Sequence, residues 1–253
     1  MTSHYFNVNR EKHSIHCKLY CEDPKAVHTV VLFGHGFGGH KDNRAAEKFA
    51  ARVIEKNKGI AVITFNWPCH GDDVKKKLSL VTCDEYLRLV LSEIQSVYEP
   101  EHLFAYATSF GGYLFLKYIA EHGSPFEKTA LRCPAVPMFD VITKNIMSDD
   151  DLSSIARGKS ILVGFDRKIA IAQPFLDELQ ASDIRKFDYM PYADEILILQ
   201  GQKDEIVPAE EVKAFAEKNL IDYIPYENAD HRFQDPQLLH QAHIEMIRYF
   251  GLK

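Results

Sequence analysis

Short apolar runs of strand length recur along this chain, and each is followed by a stretch whose apolar residues return at helical spacing. His28–Phe33 is almost continuously apolar and stops at Gly34. Gly59–Phe65, His102–Thr108, Thr129–Cys133, Glu195–Gln200 and Ile221–Tyr226 have the same character. A run that is apolar on both faces is what a strand buried between two layers needs. Between these runs, Asp42–Asn57, Val81–Tyr98, Phe110–His122, Ala209–Asn219 and Pro236–Phe250 read as helices. Asp42 or Asn43 is available to cap the first of them. Leu87, Val90, Leu91, Ile94, Val97 and Tyr98 make one stripe on the second, and Leu239, Ala242, Met246 and Phe250 face inward on the last. The alternation predicts an α/β fold: a mostly parallel central sheet with helices on both faces. Tyr5–Arg10 and Ser14–Cys21, which alternate loosely, predict an antiparallel pair ahead of it.

One stretch breaks the rhythm. Residues 135–194 separate two core strands and are far longer than an ordinary connection. They are expected to form an inserted cap or lid on a core made of residues 1–134 and 195–253. Within the insertion, Ser160–Phe165 and Lys168–Ile171 read as a hairpin around Asp166-Arg167, and Phe175–Leu179 as a short helix. A chain of 253 residues can bury enough apolar surface for such a fold without disulfides or a structural metal.

Several classes of function are disfavoured. The net charge of −6 argues against a nucleic-acid partner, whose phosphates call for an excess of Lys and Arg. Met1–Arg10 lacks the apolar centre of a signal peptide, and no run approaches the length of a membrane span. Cys17, Cys21, Cys69, Cys83 and Cys133 are odd in number and contain no CxxC pair, so they read as buried thiols. The expected compartment is a reducing cytoplasm, and a homodimer is compatible with these features. His240 and His243 lack a third ligand and are expected to face solvent. Lys75-Lys76-Lys77 reads as solvated surface.

The segment Ala107-Thr108-Ser109-Phe110-Gly111-Gly112 carries the chemistry. Ser109 falls between a buried strand and a helix, where a tight turn forces a strained backbone and only small neighbours let strand and helix approach. Ala107 stands where a glycine is usual in G-x-S-x-G, and remains small. Gly34-His35-Gly36-Phe37-Gly38-Gly39 follows another buried strand, and its N–H groups suit an oxyanion. The donors expected are the backbone N–H groups of Phe37 and Phe110. A phosphate-binding loop competes with this reading. No Gly-Lys-Ser/Thr ending follows, and the dinucleotide form is set aside on its spacing.

A hydrolytic serine needs a base and an acid. Asp204 lies just beyond one strand and His231 beyond the last, so both reach the carboxyl edge that also carries Ser109. His231 would take the serine proton and Asp204 would orient and stabilise the imidazolium. Glu205 and Asp230 are rival carboxylates. Each residue alone has a bland explanation as a turn cap or surface group; the ordered set is much harder to obtain by coincidence.

With these motifs in place, the chain resembles the α/β-hydrolase superfamily, and more narrowly the bacterial cinnamoyl (feruloyl) esterases and their intracellular relatives. His35-Gly36-Phe37 is similar to their oxyanion segment. Phe65-Asn66-Trp67-Pro68-Cys69-His70-Gly71-Asp72 resembles a segment usually ending Gly-His-Gly-Asp-Ser, with Cys69 and Asp73 at the glycine and serine positions. Cys133-Pro134-Ala135, Gly164-Phe165 and Ile169-Ala170 are similar to parts of the small cap. The resemblance implies an α/β-hydrolase fold and a carboxylic ester hydrolase with a Ser109-His231-Asp204 triad, an acyl-enzyme and no cofactor or metal. The implied partner is a small-molecule ester of hydroxycinnamoyl type, with Asp140 near a position that binds phenolic hydroxyls. A monoacylglycerol lipase, an acyl-peptidase or an acyl transferase would use the same triad. A non-catalytic binding protein of this fold is the reading from another class.

Overall fold

The computed structural model describes residues 1–10, 12–73, 77–164 and 167–253. Strands β1 (Thr2–Arg10) and β2 (His13–Cys21) pair antiparallel and lead into β3 (Thr29–Gly34), α1 (Arg44–Lys56) and β4 (Ile60–Phe65). Next come α2 (Leu80–Tyr98), β5 (His102–Thr108), α3 (Phe110–His122) and β6 (Lys128–Arg132). The long connection holds a short turn α4 (Met138–Asp140), α5 (Asp149–Ala156), the hairpin β7 (Ile161–Val163) and β8 (Ile169–Ile171), and α6 (Gln173–Ala181). The chain closes with β9 (Ile196–Gly201), α7 (Ala209–Lys218), β10 (Asp222–Tyr226) and α8 (Pro236–Tyr249). Phe165, Asp166, Lys75 and Lys76 lie outside the described residues, so the hairpin's turn and most of the basic run are not part of this account.

The main sheet has the order β1-β2-β4-β3-β5-β6-β9-β10. From β4 to β10 every neighbouring pair is parallel; β1 and β2 are the antiparallel margin. Each central strand presents alternate residues to two cores. Val30, Leu32, Ala105, Ala107 and Leu131 pack with α2, α3 and α7 on one face. Val31, Phe33, Phe104, Tyr106 and Ala130 pack with α1 and α8 on the other. That is why these strands read as continuously apolar.

Helix α1 is capped by Asn43, whose side chain accepts from the N–H groups of Ala45 and Ala46. Helix α2 has its start fixed from a distance: Glu178 of α6 accepts from the Leu80 N–H at 2.5 Å and the Ser79 hydroxyl at 3.1 Å. A carboxylate there satisfies a free donor and opposes the positive end of the helix. The same contact ties the long connection to the core, as do the Tyr113 and Tyr189 hydroxyls, which donate to the carbonyls of Ser182 and Leu116.

Two expectations need correction. Val97, assigned to the buried stripe of α2, is 55% exposed, while its neighbour Tyr98 is half-buried against the core. His243, expected at the surface, is 1% exposed, its ring wedged against Phe49 and Tyr106. His240 is exposed as expected.

Candidate active site

The strand order reverses direction at β3. From β3 the chain steps outward to β4, then returns to place β5 on the other side of β3. Loops leaving the carboxyl ends of β3 and β5 diverge there, and the resulting crevice is where open α/β sheets place their sites. The glycine-rich loop follows β3 and Ser109 follows β5.

Ser109 has φ +51° and ψ −119°, outside the regions an L residue ordinarily favours. The turn is held from below: its N–H donates to the Arg132 carbonyl at 3.1 Å, and its carbonyl accepts from the N–H groups of Tyr113 and Ala135. Close approach explains the small neighbours. A Cβ on Gly111 would fall 2.4 Å from the Gly34 carbonyl oxygen, so strand β3 and helix α3 touch through this glycine. A Cβ on Gly36 would fall 3.1 Å from Ser109 Cβ, which places the glycine loop directly against the serine. Ala107 is fully buried beside Gly34, its partner in register.

The three side chains named from sequence meet. Ser109 Oγ lies 3.0 Å from His231 Nε2, and His231 Nδ1 lies 2.8 Å from Asp204 Oδ2. Asp204 fixes the tautomer. Its Oδ1 accepts from the Ile206 and Val207 N–H groups at 2.9 and 2.8 Å, and its Oδ2 also accepts from Gln200 Nε2 at 3.0 Å. Burial pushes this carboxyl up. The hydrogen bond and charge of His231, with the two backbone donors, outweigh that and hold it below the usual carboxylate range. An ionised Asp204 can only accept, so Nδ1 of His231 carries the proton and Nε2 is left to accept from the Ser109 hydroxyl. Glu205 is exposed, and Asp230 accepts from the Gln234 N–H instead.

The two residues proposed to supply oxyanion donors are neighbours through their rings: Phe37 and Phe110 meet edge to face at 5.8 Å. His70 lies against both, at 5.6 and 6.1 Å, and Phe175 closes on Phe110 at 6.4 Å. The packing behind Ser109 is therefore aromatic, with Phe37 alone of these rings partly exposed. His35 shapes the loop itself: its Nδ1–H donates to the Gly36 carbonyl at 2.8 Å and its Nε2 accepts from the Trp67 N–H at 3.3 Å. Burial, then the neighbouring His70, keep its pKa well below that of free imidazole, so it serves as a neutral brace.

The spacing argument against a dinucleotide loop does not hold, since Gly34, Gly36 and Gly39 do satisfy G-x-G-x-x-G. What separates this loop from such a site is its structure. A dinucleotide fingerprint runs straight into a helix whose N-terminus meets the pyrophosphate. Here α1 begins only at Arg44, under its own Asn43 cap, and Gly36 is pressed against Ser109.

Gln200 was not singled out from sequence, and Cys133 was read only as a buried thiol and as part of a cap-like segment. Gln200 is fully buried and holds the same Asp204 oxygen that His231 uses; its signal was a lone amide ending an apolar strand. Cys133 places its Sγ within 4.8 Å of ligand atoms of Asp204 and His231. Cys, Asp and His can together hold a metal, but His231 and Asp204 already bind each other. Burial, then the adjacent carboxylate, push the Cys133 thiol up, so it packs behind the pair as a protonated group. Asp140 lies in a separate cavity of about 260 Å³ lined by Tyr113, Met138, Leu179 and Arg185. Its carboxylate already pairs with Lys144 at 2.7 Å and with Arg185 at 3.4 Å.

No family model matches the sequence, and no curated protein matches it either. Solved structures do match. Est1E from Butyrivibrio proteoclasticus, solved with ferulic acid bound, superposes over 97% of this chain and 99% of its own, with TM-score 0.72 and 17% identity. A soluble variant of the monoglyceride lipase from Saccharomyces cerevisiae, in complex with a substrate analogue, covers 99% and 95%, with TM-score 0.73 and 13% identity. The fold is that of the α/β-hydrolases. Mouse alpha/beta hydrolase domain-containing protein 10 shares it across 98% of each chain, with TM-score 0.70 and 15% identity. In this α/β-hydrolase fold, the crevice at the strand-order reversal coincides with the serine, histidine and aspartate described above.

Proposed function

We propose that this protein is a carboxylic ester hydrolase that works through an acyl-Ser109 intermediate. The observation that carries the proposal is the unbroken chain Ser109 Oγ, His231, Asp204, at 3.0 and 2.8 Å, on a serine with positive φ. Ser109 Oγ attacks the ester carbonyl as its proton passes to His231 Nε2. The imidazolium then returns that proton to the departing alcohol. Water, deprotonated by the same nitrogen, attacks the acyl-enzyme and releases the acid. Asp204 stabilises the imidazolium in both halves. The backbone N–H groups of Phe37 and Phe110 are assigned to the oxyanion, Phe110 at the positive end of α3.

The acyl group assigned is a hydroxycinnamoyl-type one. Phe37, half-buried in the glycine loop and backed by the buried rings of His70 and Phe110, offers an aromatic edge suited to a flat ring, and a neighbour of the same fold binds ferulic acid. Residues 135–194 are assigned the role of a cap over that side. The monoglyceride lipase likeness favours a second reading, a long-chain acyl ester. Both keep the compartment reducing and cytoplasmic.

A fluorophosphonate probe should label the wild-type protein and leave Ser109→Ala unlabelled; equal labelling of both overturns the serine. A panel of methyl ferulate, short-chain aryl esters and monoacylglycerols then ranks the acyl group. A preference for the monoacylglycerols would overturn the hydroxycinnamoyl assignment while leaving the hydrolase standing.

A further inference from the structure

On the sheet face away from α3, a second group of polar side chains takes no part in this chemistry. Arg132 ends β6 and is 6% exposed, Tyr106 of β5 is fully buried, and His243 of α8 is 1% exposed. His243 lies 6.0 Å from Tyr106 and 5.5 Å from Phe49, ring to ring. Arg52 of α1 is half-buried and near enough for its charge to act on His243. Nε and Nη1 of Arg132, Nη1 of Arg52, the Tyr106 hydroxyl and both ring nitrogens of His243 are buried, and among the described residues no group hydrogen-bonds to any of them. Phe233 covers the flat face of the Arg132 guanidinium at 5.3 Å. That contact leaves the N–H edge unmet.

The chemistry of this group is one-sided. Two guanidinium groups and a phenol are donors here, and a neutral imidazole adds one more. Burial, then the charges of Arg132 and Arg52, push His243 down to about 3, so its ring is neutral. Among the described residues no carboxylate reaches these nitrogens. A guanidinium taken out of water without a counter-charge is strongly unfavourable. Water could accept these hydrogen bonds, but it would leave the charge uncompensated.

We propose that the space between β5, β6, α1 and α8 binds a small anion, of the chloride or phosphate class, held by Arg132, Arg52, Tyr106 and His243. The anion supplies the acceptor and the negative charge that the chain itself does not. It also steadies Arg132 beneath Phe233, which belongs to the loop that carries His231.

The full-length protein is held at constant ionic strength in sodium gluconate, an anion too bulky for an enclosed site. Chloride or phosphate then replaces gluconate stepwise while Tm is followed. Wild type should gain about 5 °C or more by roughly one hundred times Kd and continue to rise with the logarithm of ion concentration. The more effective of the two ions identifies the ligand. Arg132→Met should melt higher than wild type in gluconate alone and should not respond to either ion. No response from wild type, or an equal response from Arg132→Met, overturns the proposal. Should Arg132→Met fail to fold, a bromide-soaked wild-type crystal decides: an anomalous peak between Arg132 and His243 supports the site, and ordered water alone overturns it.

Discussion

Asp204 shows how much of a site rests on one side chain's surroundings. Alone in a loop after β9 it could be a turn cap, and it does cap: Ile206 and Val207 donate to its Oδ1. The same hydrogen bonds fix the carboxylate so that Oδ2 faces His231, with Gln200 steadying it from the strand. Replacement by asparagine should therefore orient His231 through the wrong tautomer. Asp204→Asn is expected to lower kcat by about 10⁴-fold with an unchanged circular dichroism spectrum. Glu205→Gln and Asp230→Asn should stay near wild type. If either of these loses activity while Asp204→Asn keeps it, the acid is misassigned. The order Ser109, Asp204, His231 was legible in the sequence because each follows a recognisable strand. Gln200 and Cys133 were not, because their proximity depends on which strands become neighbours: β6 and β9 pair only in the folded sheet.

At the scale of elements, the turn between β5 and α3 works because β3 can lie against it. Gly111 has no room for a methyl group, since the atom it would meet is the Gly34 carbonyl oxygen, backbone that cannot swing aside. Gly111→Ala should destabilise by about 2–3 kcal/mol or more and lower Tm by roughly 5–10 °C. Val97→Lys makes the contrast. Val97 is exposed at the end of α2, so its replacement should fall within about 0.5 kcal/mol of wild type. Thermal melts of the two variants check both statements, and a Gly111→Ala protein as stable as wild type contradicts the close approach. The helical period alone placed Val97 on the buried stripe. It could not tell which of two adjacent residues, Val97 or Tyr98, the core would cover in the last turn.

For the whole molecule, buried histidines couple stability to pH. His35 and His70 sit in the frame around the glycine loop and His243 on the opposite face, and burial drives all three below free imidazole, His70 to about 4 and His243 to about 3. In the unfolded chain these rings titrate near 6.5, as ordinary histidines do (roughly). Below that pH the unfolded state binds protons that the folded state refuses, so stability falls as pH drops, until His70 itself protonates near 4. Each such histidine contributes up to about 1.4 kcal/mol per pH unit in that window. Asp42, which burial alone would raise, is held at about 2 by Tyr5, Lys18 and Lys41. It and Asp204 matter only at lower pH, so urea unfolding between pH 7.5 and 5 isolates the histidines. A midpoint that does not move across this range would contradict their neutral, buried state.

The sequence by itself determined the succession of strands and helices and the placing of serine, acid and base after strands in the right order. These are local matters of period, turn chemistry and chain order. Only the tertiary structure decided the rest. It put β3 between β4 and β5, which opened the crevice and pressed Gly36 onto Ser109. It excluded a dinucleotide loop that glycine spacing alone would allow, and it buried His243 among arginines that no neighbour in sequence would reveal. The physical reason is the same in each case: burial and hydrogen-bond partners are set by residues far apart along the chain.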